Sequence, residues 1–430
     1  MLKLLKRRSQ KNIKDRYSTY SRFSDAEKID LQIRKFNSIW RTAQLHPFYR
    51  TLLEKYDLPS NITDISELEV FPQISKRMIQ ESKETICSGH RKFVSTGGSS
   101  GEPTVFPTNT SQISEEFEST YLGRYLSQIF VGDRTLLIWG HSHLYGKGLQ
   151  KFKSILVQAT KDTLSSRRRL NAYDLTLENI EEYYSAIQAY KPKVLIGYTS
   201  SIVLLAKYIA SNHSFVVPKS LKAVIVTAEN ITNYDAAIIE ETFCGLLIKE
   251  YGMAETSTIG YSSNTKPNYT TIYDSQLVYK NRDNQALVSC LYDRAFPLIN
   301  YNTGDSLISD DRPFESILEF SGVEGRKIEI FPLLTEAGNF IDISGIMVIH
   351  VLKSLRDILY ISPVYEEKRL SINLYTDPKS IGLHNSKDVM TLFCDAIDKE
   401  FSVKIIRANV CIQIYDKLER TISGKFKQGG

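Results

Sequence analysis

Apolar, strand-like stretches alternate with helical stretches in the middle of the chain. The apolar stretches cover residues 136–139, 193–197, 223–226 and 246–251. Helices are predicted at 202–209 and 234–243, each between two of these strands. Strand, helix, strand at this spacing predicts βαβ units, which build a mainly parallel sheet flanked by helices. The predicted fold class is therefore α/β.

The regions on either side of this core have different patterns. Residues 1–90 are predicted to be mostly helical, whereas short strands and turns dominate between 270 and 320 and predict a small β-rich part. A strand, a helix and a strand are predicted at 370–374, 386–401 and 408–414. We therefore predict a large domain over 1–325, which includes the helical region 1–90, and a small, mobile α+β domain over 326–430.

Composition excludes several classes of protein. The formal net charge of +5 is mild for 430 residues and predicts no nucleic-acid partner. No apolar run reaches the ~18 residues of a membrane span, and none follows the basic N-terminus, so a signal peptide is not expected. The five cysteines form no C-x-x-C pair, which favours a reduced, cytoplasmic enzyme. A homodimer is left open.

A segment rich in glycine and hydroxyl side chains precedes the predicted sheet. It reads STGGSSGEP from Ser95 to Pro103, and a β-branched apolar stretch follows from Thr104. Such a segment suits a loop whose backbone amides approach an anion, and a flexible linker is the alternative. It is not a Walker A loop, because Glu102 stands where that loop has lysine.

Three further motifs follow along the chain. Tyr-Gly-Met-Ala-Glu at 251–255 comes directly after a predicted strand, Tyr-Asn-Thr-Gly-Asp at 301–305 lies in the β-rich part, and Arg-Thr-Ile-Ser-Gly-Lys at 420–425 ends five residues from the C-terminus. Taken singly, they are also typical of a helix start, a hairpin turn and a basic tail.

In this order, the motifs resemble those of the adenylate-forming superfamily of acyl-CoA synthetases and related ligases, and in particular the phenylacetate-CoA ligase group with its CapK-like members. The resemblance spans nearly the whole chain, from residues 46–50 and 71–76 to Lys425. It implies an ATP-dependent ligase that converts a carboxylic acid into an acyl adenylate. The acyl group would pass to a thiol, amine or hydroxyl acceptor, in polysaccharide or natural-product biosynthesis. ATP and Mg²⁺ are the implied cofactors, with coenzyme A as one candidate acceptor.

The resemblance also implies a nucleotide site. The phosphates of ATP would be held by the loop residues Ser95, Thr96, Gly97, Gly98, Ser99, Ser100 and Gly101. Tyr251 and Gly252 would lie against adenine, and Glu229 near adenine or the acid. Asp305 and Arg326 would contact the ribose.

Two residues would take part in the chemistry. Glu255 would coordinate magnesium, a cation that takes oxygen ligands. Lys425 would neutralise the charge that develops between the carboxylate and the α-phosphate.

The chain departs from the family pattern after Arg326. Lys327, Ile328 and Glu329 replace the usual Ser/Thr-Asp-Asp, and the glycine-containing segment near the thiol acceptor's path is not recognisable in 330–334. This weakens the case for coenzyme A and keeps open a ligase that forms an amide or ester directly. A degenerate nucleotide-binding protein is the non-catalytic alternative.

The candidate acid pocket lies after the strand at 136–139. His141 and His143 follow this strand, at the edge where open α/β sheets bind ligands, and Tyr198 follows the next predicted strand. A loop with two solvated imidazoles is the alternative. The arginines at 167–169 are interpreted as a solvated charge run.

Overall fold

The computed structural model describes residues 2–95, 104–139, 162, 165–171, 177–210, 216–229, 231, 233–324, 330–352, 358–366, 368–376, 385–401 and 403–415. The chain divides into two compact units, whose described residues run from 2 to 324 and from 330 to 415. None of the helices in these ranges has the length and apolar character that a bilayer crossing requires.

The first ninety residues form helices around an aromatic core. The helices are α1 Leu2–Tyr20, α2 Asp25–Ala43, α3 Pro47–Lys55, α4 Lys76–Glu81 and α5 Lys83–Cys87. A capping box starts α2: the Ser24 hydroxyl accepts from the Glu27 amide, and the Glu27 carboxylate accepts from the Ser24 amide. Phe36 and Trp40, one turn apart on α2, are fully buried and pack edge-on against Phe71.

In the part of the chain that the structure describes, the main sheet has eight strands, and helices connect its parallel strands. In chain order, the elements from residue 93 to residue 271 are β1 Phe93–Ser95, β2 Val105–Pro107, α6 Thr110–Leu126, β3 Thr135–Trp139, β4 Arg167–Asn171, α7 Leu177–Tyr190, β5 Val194–Tyr198, α8 Thr199–Ala210, β6 Ala223–Thr227, α9 Asn233–Phe243, β7 Leu246–Met253, β8 Ser257–Ser263 and β9 Lys266–Thr271. All the strands from β3 to β9 belong to the main sheet. Strands β4, β3, β5, β6 and β7 pair in parallel, whereas β8 and β9 extend the sheet antiparallel. The predicted α/β class is confirmed.

A second, antiparallel sheet forms the β-rich part of the first unit. Its strands are β10 Gln276–Lys280, β11 Gln285–Cys290, β12 Tyr301–Ile308 and β14 Gly322–Glu324, and β13 Glu319–Phe320 joins the edge of the main sheet. Tyr301 is buried in β12, where its backbone also bridges to Ile74. The helical segment is thereby tied to this sheet.

The arginines at 167–169 correct the sequence interpretation. They belong to β4, which among the described strands lies at the edge of the sheet and pairs with β3. Arg167 donates to the Tyr121 hydroxyl (3.2 Å) and Arg169 pairs with Asp162 (2.7 Å), so these two are not solvated charges. Charged side chains are common on edge strands because they oppose pairing with another chain.

The second unit is a small α+β structure. It contains β15 Ile330–Leu334, β16 Phe340–Ser344, α10 Gly345–Leu352, β17 Ile358–Glu366, β18 Arg369–Thr376, α11 Ser386–Phe401 and β19 Val410–Tyr415. β17 and β18 pair antiparallel, whereas β18 and β19 pair in parallel. Phe393 and Ile397 of α11 pack with Leu370 and Ile372 of β18 in its core.

Candidate active site

The parallel strands end at one edge of the main sheet, where ligands bind in open α/β folds. Tyr198 of β5 is in register with Thr227 of β6, which is in register with Glu250 of β7. The ring of Tyr198 packs against Trp139 at the end of β3, with centroids 4.5 Å apart. The predicted pocket residue Tyr198 therefore lies at this edge, next to an aromatic neighbour that the sequence analysis treated only as part of a strand. His141 and His143 lie outside the described residues.

The turn after β6 carries the predicted residue Glu229. Ala228 has a φ of +69°, so the chain leaves the strand through a left-handed residue. The Thr199 hydroxyl donates to the Glu229 carbonyl (3.0 Å), and the Thr227 hydroxyl donates to the Glu250 carbonyl (2.9 Å). These bonds hold the turn between its two neighbouring strands.

Tyr251 and Asp305, predicted from separate motifs, are in contact. The Tyr251 hydroxyl donates a 2.9 Å hydrogen bond to Oδ2 of Asp305, 54 residues away in the sequence. Tyr251 lies near the end of β7 in the main sheet, and Asp305 lies on β12 of the antiparallel sheet. The Tyr251 ring also packs edge-on against Phe320 (5.9 Å). The contact thus joins the two sheets through both motifs.

Asp305 lies in an irregular part of β12. Asn302 pairs with Leu287 and Ser306 with Gln285, so three residues of β12 oppose one residue of β11. Gly304 within this bulge has a φ of +79°, a conformation that favours glycine. The Asp305 amide donates to the Thr303 hydroxyl (3.1 Å), which in turn donates to the Ala286 carbonyl (3.1 Å). The Thr-Gly-Asp motif therefore forms a bulge inside a strand rather than a hairpin turn.

Glu255 lies in the tight connection between β7 and β8. Met253 pairs with Ser257 across this connection, and the Glu255 side chain is buried, with 4% of the residue exposed. No described residue donates a hydrogen bond to its carboxylate. Its backbone carbonyl accepts a 2.7 Å bond from Nη2 of Arg294.

Gly252 is required for the close approach of β7 and β8. A Cβ atom at this position would lie 2.5 Å from the Ser257 carbonyl oxygen and 2.8 Å from the Cα of Thr258. Both atoms belong to the backbone and cannot move aside without opening the hairpin. This gives a steric reason for glycine beside Tyr251.

The glycine-rich segment connects two paired strands. β1 and β2 are antiparallel, and Ser95 pairs with Val105. The β-branched apolar stretch that begins at Thr104 contains β2. Thr96, Gly97, Gly98, Ser99, Ser100 and Gly101 lie outside the described residues, as do Arg326 and Lys425.

Arg294, a buried arginine behind the Glu255 turn, was not predicted from the sequence. It follows β11 and precedes β12, and its side chain is only 2% exposed. Besides the Glu255 carbonyl, it contacts Glu116 of α6 (3.1 Å). Nothing in the local sequence signals this, because Glu116 and Glu255 lie in segments that are distant along the chain.

The chain is similar to known proteins both in sequence and in structure. No family model matches the chain. Protein CapK of Staphylococcus aureus is 22% identical over 309 residues, which are 69% of this chain and 67% of CapK. A 2-hydroxyisobutyryl-CoA ligase solved with 2-HIB-AMP and CoA in the thioesterification state superposes with a TM-score of 0.57 at 16% identity, over 94% of this chain and 90% of that one. Its open conformation gives 0.54 at 15% identity, over 92% and 90%. The likeness to adenylate-forming ligases that the motifs predicted is confirmed for the fold, which this chain shares with the 2-hydroxyisobutyryl-CoA ligase.

Proposed function

We propose that this protein is an ATP-dependent, AMP-forming ligase that activates a carboxylic acid as an acyl adenylate and transfers the acyl group to an acceptor. The observation that carries the proposal is the hydrogen bond between Tyr251 and Asp305. Two motifs that resemble adenine- and ribose-binding segments meet there, although they come from different sheets.

Asp305 is proposed to bind the ribose. An ionised carboxylate has two oxygens and can accept a hydrogen bond from each of two adjacent hydroxyls. The Tyr251 hydroxyl occupies Oδ2 from one side and orients the group. Arg326 would contact the same sugar, and the Tyr251 ring, with Gly252 beside it, would lie against adenine.

The phosphates are assigned to the segment between β1 and β2. Backbone amides and hydroxyls of residues 95–101 would hold the pyrophosphate part of ATP, because a glycine-rich loop lets the backbone approach an anion closely. The pairing of Ser95 with Val105 brings the two ends of this segment together. A segment with fixed ends would help to position a leaving group.

The surroundings of Glu255 fit a magnesium ion that takes most of its ligands from the phosphates of the substrate and from water. Among the described residues, no cluster of three or more acidic, histidine or cysteine side chains could hold a metal alone. Mg²⁺ commonly uses one or two carboxylates together with phosphate oxygens and water. The buried Glu255 carboxylate, to which no described residue donates, suits that role. When bound, the ion would neutralise charge on the phosphates.

The proposed first step is adenylation. An oxygen of the acid's carboxylate attacks the α-phosphorus, the bond from that phosphorus to the bridging oxygen breaks, and pyrophosphate leaves with the electron pair. Lys425 would neutralise charge at the reacting centre, brought there by a small domain over 326–430 that moves against the domain over 1–325. The acid itself would lie near Tyr198 and Glu229, with His141 and His143 as further pocket residues.

Two versions of the proposed reaction differ in the acceptor of the acyl group. The ligase solved with CoA favours a thioester product for this fold, whereas Lys327, Ile328 and Glu329 depart from the usual hinge and favour direct transfer to an amine or hydroxyl. We propose polysaccharide or natural-product biosynthesis as the setting, on the resemblance to the CapK-like group alone.

Mass spectrometry tests the whole reaction. The protein is incubated with ATP, Mg²⁺ and a panel of carboxylic acids, with and without coenzyme A. Acid-dependent AMP and an acyl adenylate are expected, and a thioester appears only if coenzyme A is the acceptor. Lys425→Ala should lose adenylate formation. ATP binding without any AMP from a broad panel would instead favour the non-catalytic alternative.

A further inference from the structure

Arg294 connects three separate segments of the first unit. Its Nη2 donates to the Glu255 carbonyl (2.7 Å), and its Nη1 donates to Oε1 of Glu116 (3.1 Å) and to the Tyr292 hydroxyl (2.6 Å). Glu116 lies on α6, the helix that follows β1 and β2. The turn that carries Glu255 is thereby fixed to the helix next to the glycine-rich segment.

A second set of contacts holds the same turn. The Gln276 side chain donates to the Thr256 carbonyl (2.8 Å), and the Tyr292 hydroxyl lies 3.4 Å from that oxygen. Gln112 adds a bond to Oε1 of Glu116 (2.9 Å). Both carbonyls of the turn, at 255 and 256, are therefore bound by side chains from other segments.

A buried arginine in this position is costly unless its donors are satisfied. Hydrophobic residues could fill the same space at equal or lower cost, so stability alone does not explain its use. A planar group with several donors can, however, bind a carbonyl and a carboxylate at fixed angles. This favours a role in geometry.

We infer that Arg294 is a positioning residue, which holds the Glu255 turn against α6 and so fixes the carboxylate proposed to bind magnesium. The inference rests on the proposed function for the identity of the ion. Arg294 bonds the backbone carbonyl of the residue whose side chain would bind the metal, and changes to residues that orient metal ligands commonly alter metal affinity or activity by about 10- to 100-fold.

The test compares two buried arginines. Arg294→Met removes the bond to the turn. Arg16→Met is the control, because Arg16 is also largely buried, with 14% of its side chain exposed, and pairs with Asp274 (2.8 Å) and Glu115 (2.8 Å), while no described contact joins it to a candidate site residue. Thermal unfolding should show that both variants are folded and destabilised. If Arg294→Met does not fold, Arg294→Lys replaces it: lysine can keep one donor for the carbonyl but loses the planar fork, so the same changes are expected in the same direction and to a smaller extent.

Two readouts separate this inference from the proposed function. Hydrogen exchange of a peptide covering 253–258 should become faster in Arg294→Met and stay unchanged in Arg16→Met. Unchanged exchange in Arg294→Met would overturn the positioning role. Binding of Mn²⁺ with a non-hydrolysable ATP analogue, followed by electron paramagnetic resonance, should weaken about 10-fold or more in Arg294→Met only. Equal weakening in both variants would also overturn it, whereas no binding by the unaltered protein would count against the proposed function.

Discussion

The Tyr251 hydroxyl donates a 2.9 Å hydrogen bond to the carboxylate of Asp305, and this bond connects the main sheet to the antiparallel sheet. Each residue is held by its own strand: Tyr251 by the β7–β8 pairing and Asp305 by the bulge in β12. The pairing of each strand therefore sets the position of both groups, and the proposed nucleotide would bind beside this pair.

Removing the Tyr251 hydroxyl should weaken nucleotide binding moderately. In Tyr251→Phe, Asp305 loses one donor, and a single hydrogen bond of this kind contributes about 1 kcal/mol, so we expect the Kd for AMP to rise about 3- to 10-fold. Calorimetry with AMP measures this. Tyr269→Phe is the control, since Tyr269 stacks on the same Phe320 ring (4.9 Å) from β9. Equal affinity in Tyr251→Phe and the unaltered protein would contradict the role of the bond.

The glycine beside Tyr251 should not tolerate a side chain. In Gly252→Ala, the new Cβ would meet the Ser257 carbonyl oxygen at 2.5 Å, and we expect a loss of stability of about 2 kcal/mol or more. Gly245→Ala is the control, because a Cβ there meets nothing closer than 3.4 Å. Denaturant unfolding compares the two variants. A Gly252→Ala protein as stable as Gly245→Ala would show that the hairpin opens readily.

The α/β core was predictable because its signals are local. The strand expected at 136–139 is β3 Thr135–Trp139, and the helix expected at 386–401 is α11 Ser386–Phe401. Buried parallel strands and amphipathic helices leave a pattern within a single segment. The motifs at 251–255 and 301–305 could also be recognised because each lies within a single segment. The contact between them could not be predicted, because it joins two segments.

The features that sequence could not predict depend on distant partners. Arg294 meets residues 116 and 255 only in the folded chain. The arginines of β4 resembled a solvated run because an edge strand needs little apolar character, and their partners Tyr121 and Asp162 lie on other segments. The bulge at Gly304 arises from pairing with β11 and is not specified by Thr-Gly-Asp alone.

The buried ion pair between Arg124 and Glu250 should be important for stability. Both nitrogens of the Arg124 fork contact the Glu250 carboxylate, at 2.7 and 2.9 Å, and the two side chains are 12% and 10% exposed. Arg124→Met would leave a buried carboxylate unpaired, so we expect a loss of about 3–5 kcal/mol. In Arg34→Met, an exposed pair with Asp30 on α2 is lost, and the change should stay within about 0.5 kcal/mol. Similar changes in both variants would contradict this account.

Protonation of His46 should destabilise the start of α3. Its Nδ1 accepts a hydrogen bond from the Phe48 amide (3.2 Å), which requires a neutral ring. Burial, and to a smaller extent the positive charge of His90, lower the pKa of His46 below its usual value of 6.5. The unfolded chain therefore binds the proton more readily, and this contribution to stability is complete above about pH 6.5 and is lost as the pH falls through the lower, folded pKa.

His46→Asn isolates that effect, because asparagine also caps helices but does not titrate in this range. The difference in melting temperature between the unaltered protein and His46→Asn should change between pH 5 and 7.5. As the pH falls, the melting temperature of the unaltered protein should decrease relative to that of His46→Asn. A constant difference across this range would show that the cap does not depend on the charge of His46.

Acid-dependent exchange of labelled pyrophosphate into ATP tests the central claim most directly. The unaltered protein should catalyse exchange with at least one carboxylic acid, and Asp305→Ala should reduce it by about 100-fold or more, because the ribose and Tyr251 both lose their acceptor. Asp311→Ala, which removes a carboxylate bonded to Ser309 shortly after β12, should keep the exchange rate. Full exchange by Asp305→Ala would contradict the account of this site, and no exchange by the unaltered protein with any acid would contradict the proposed activity.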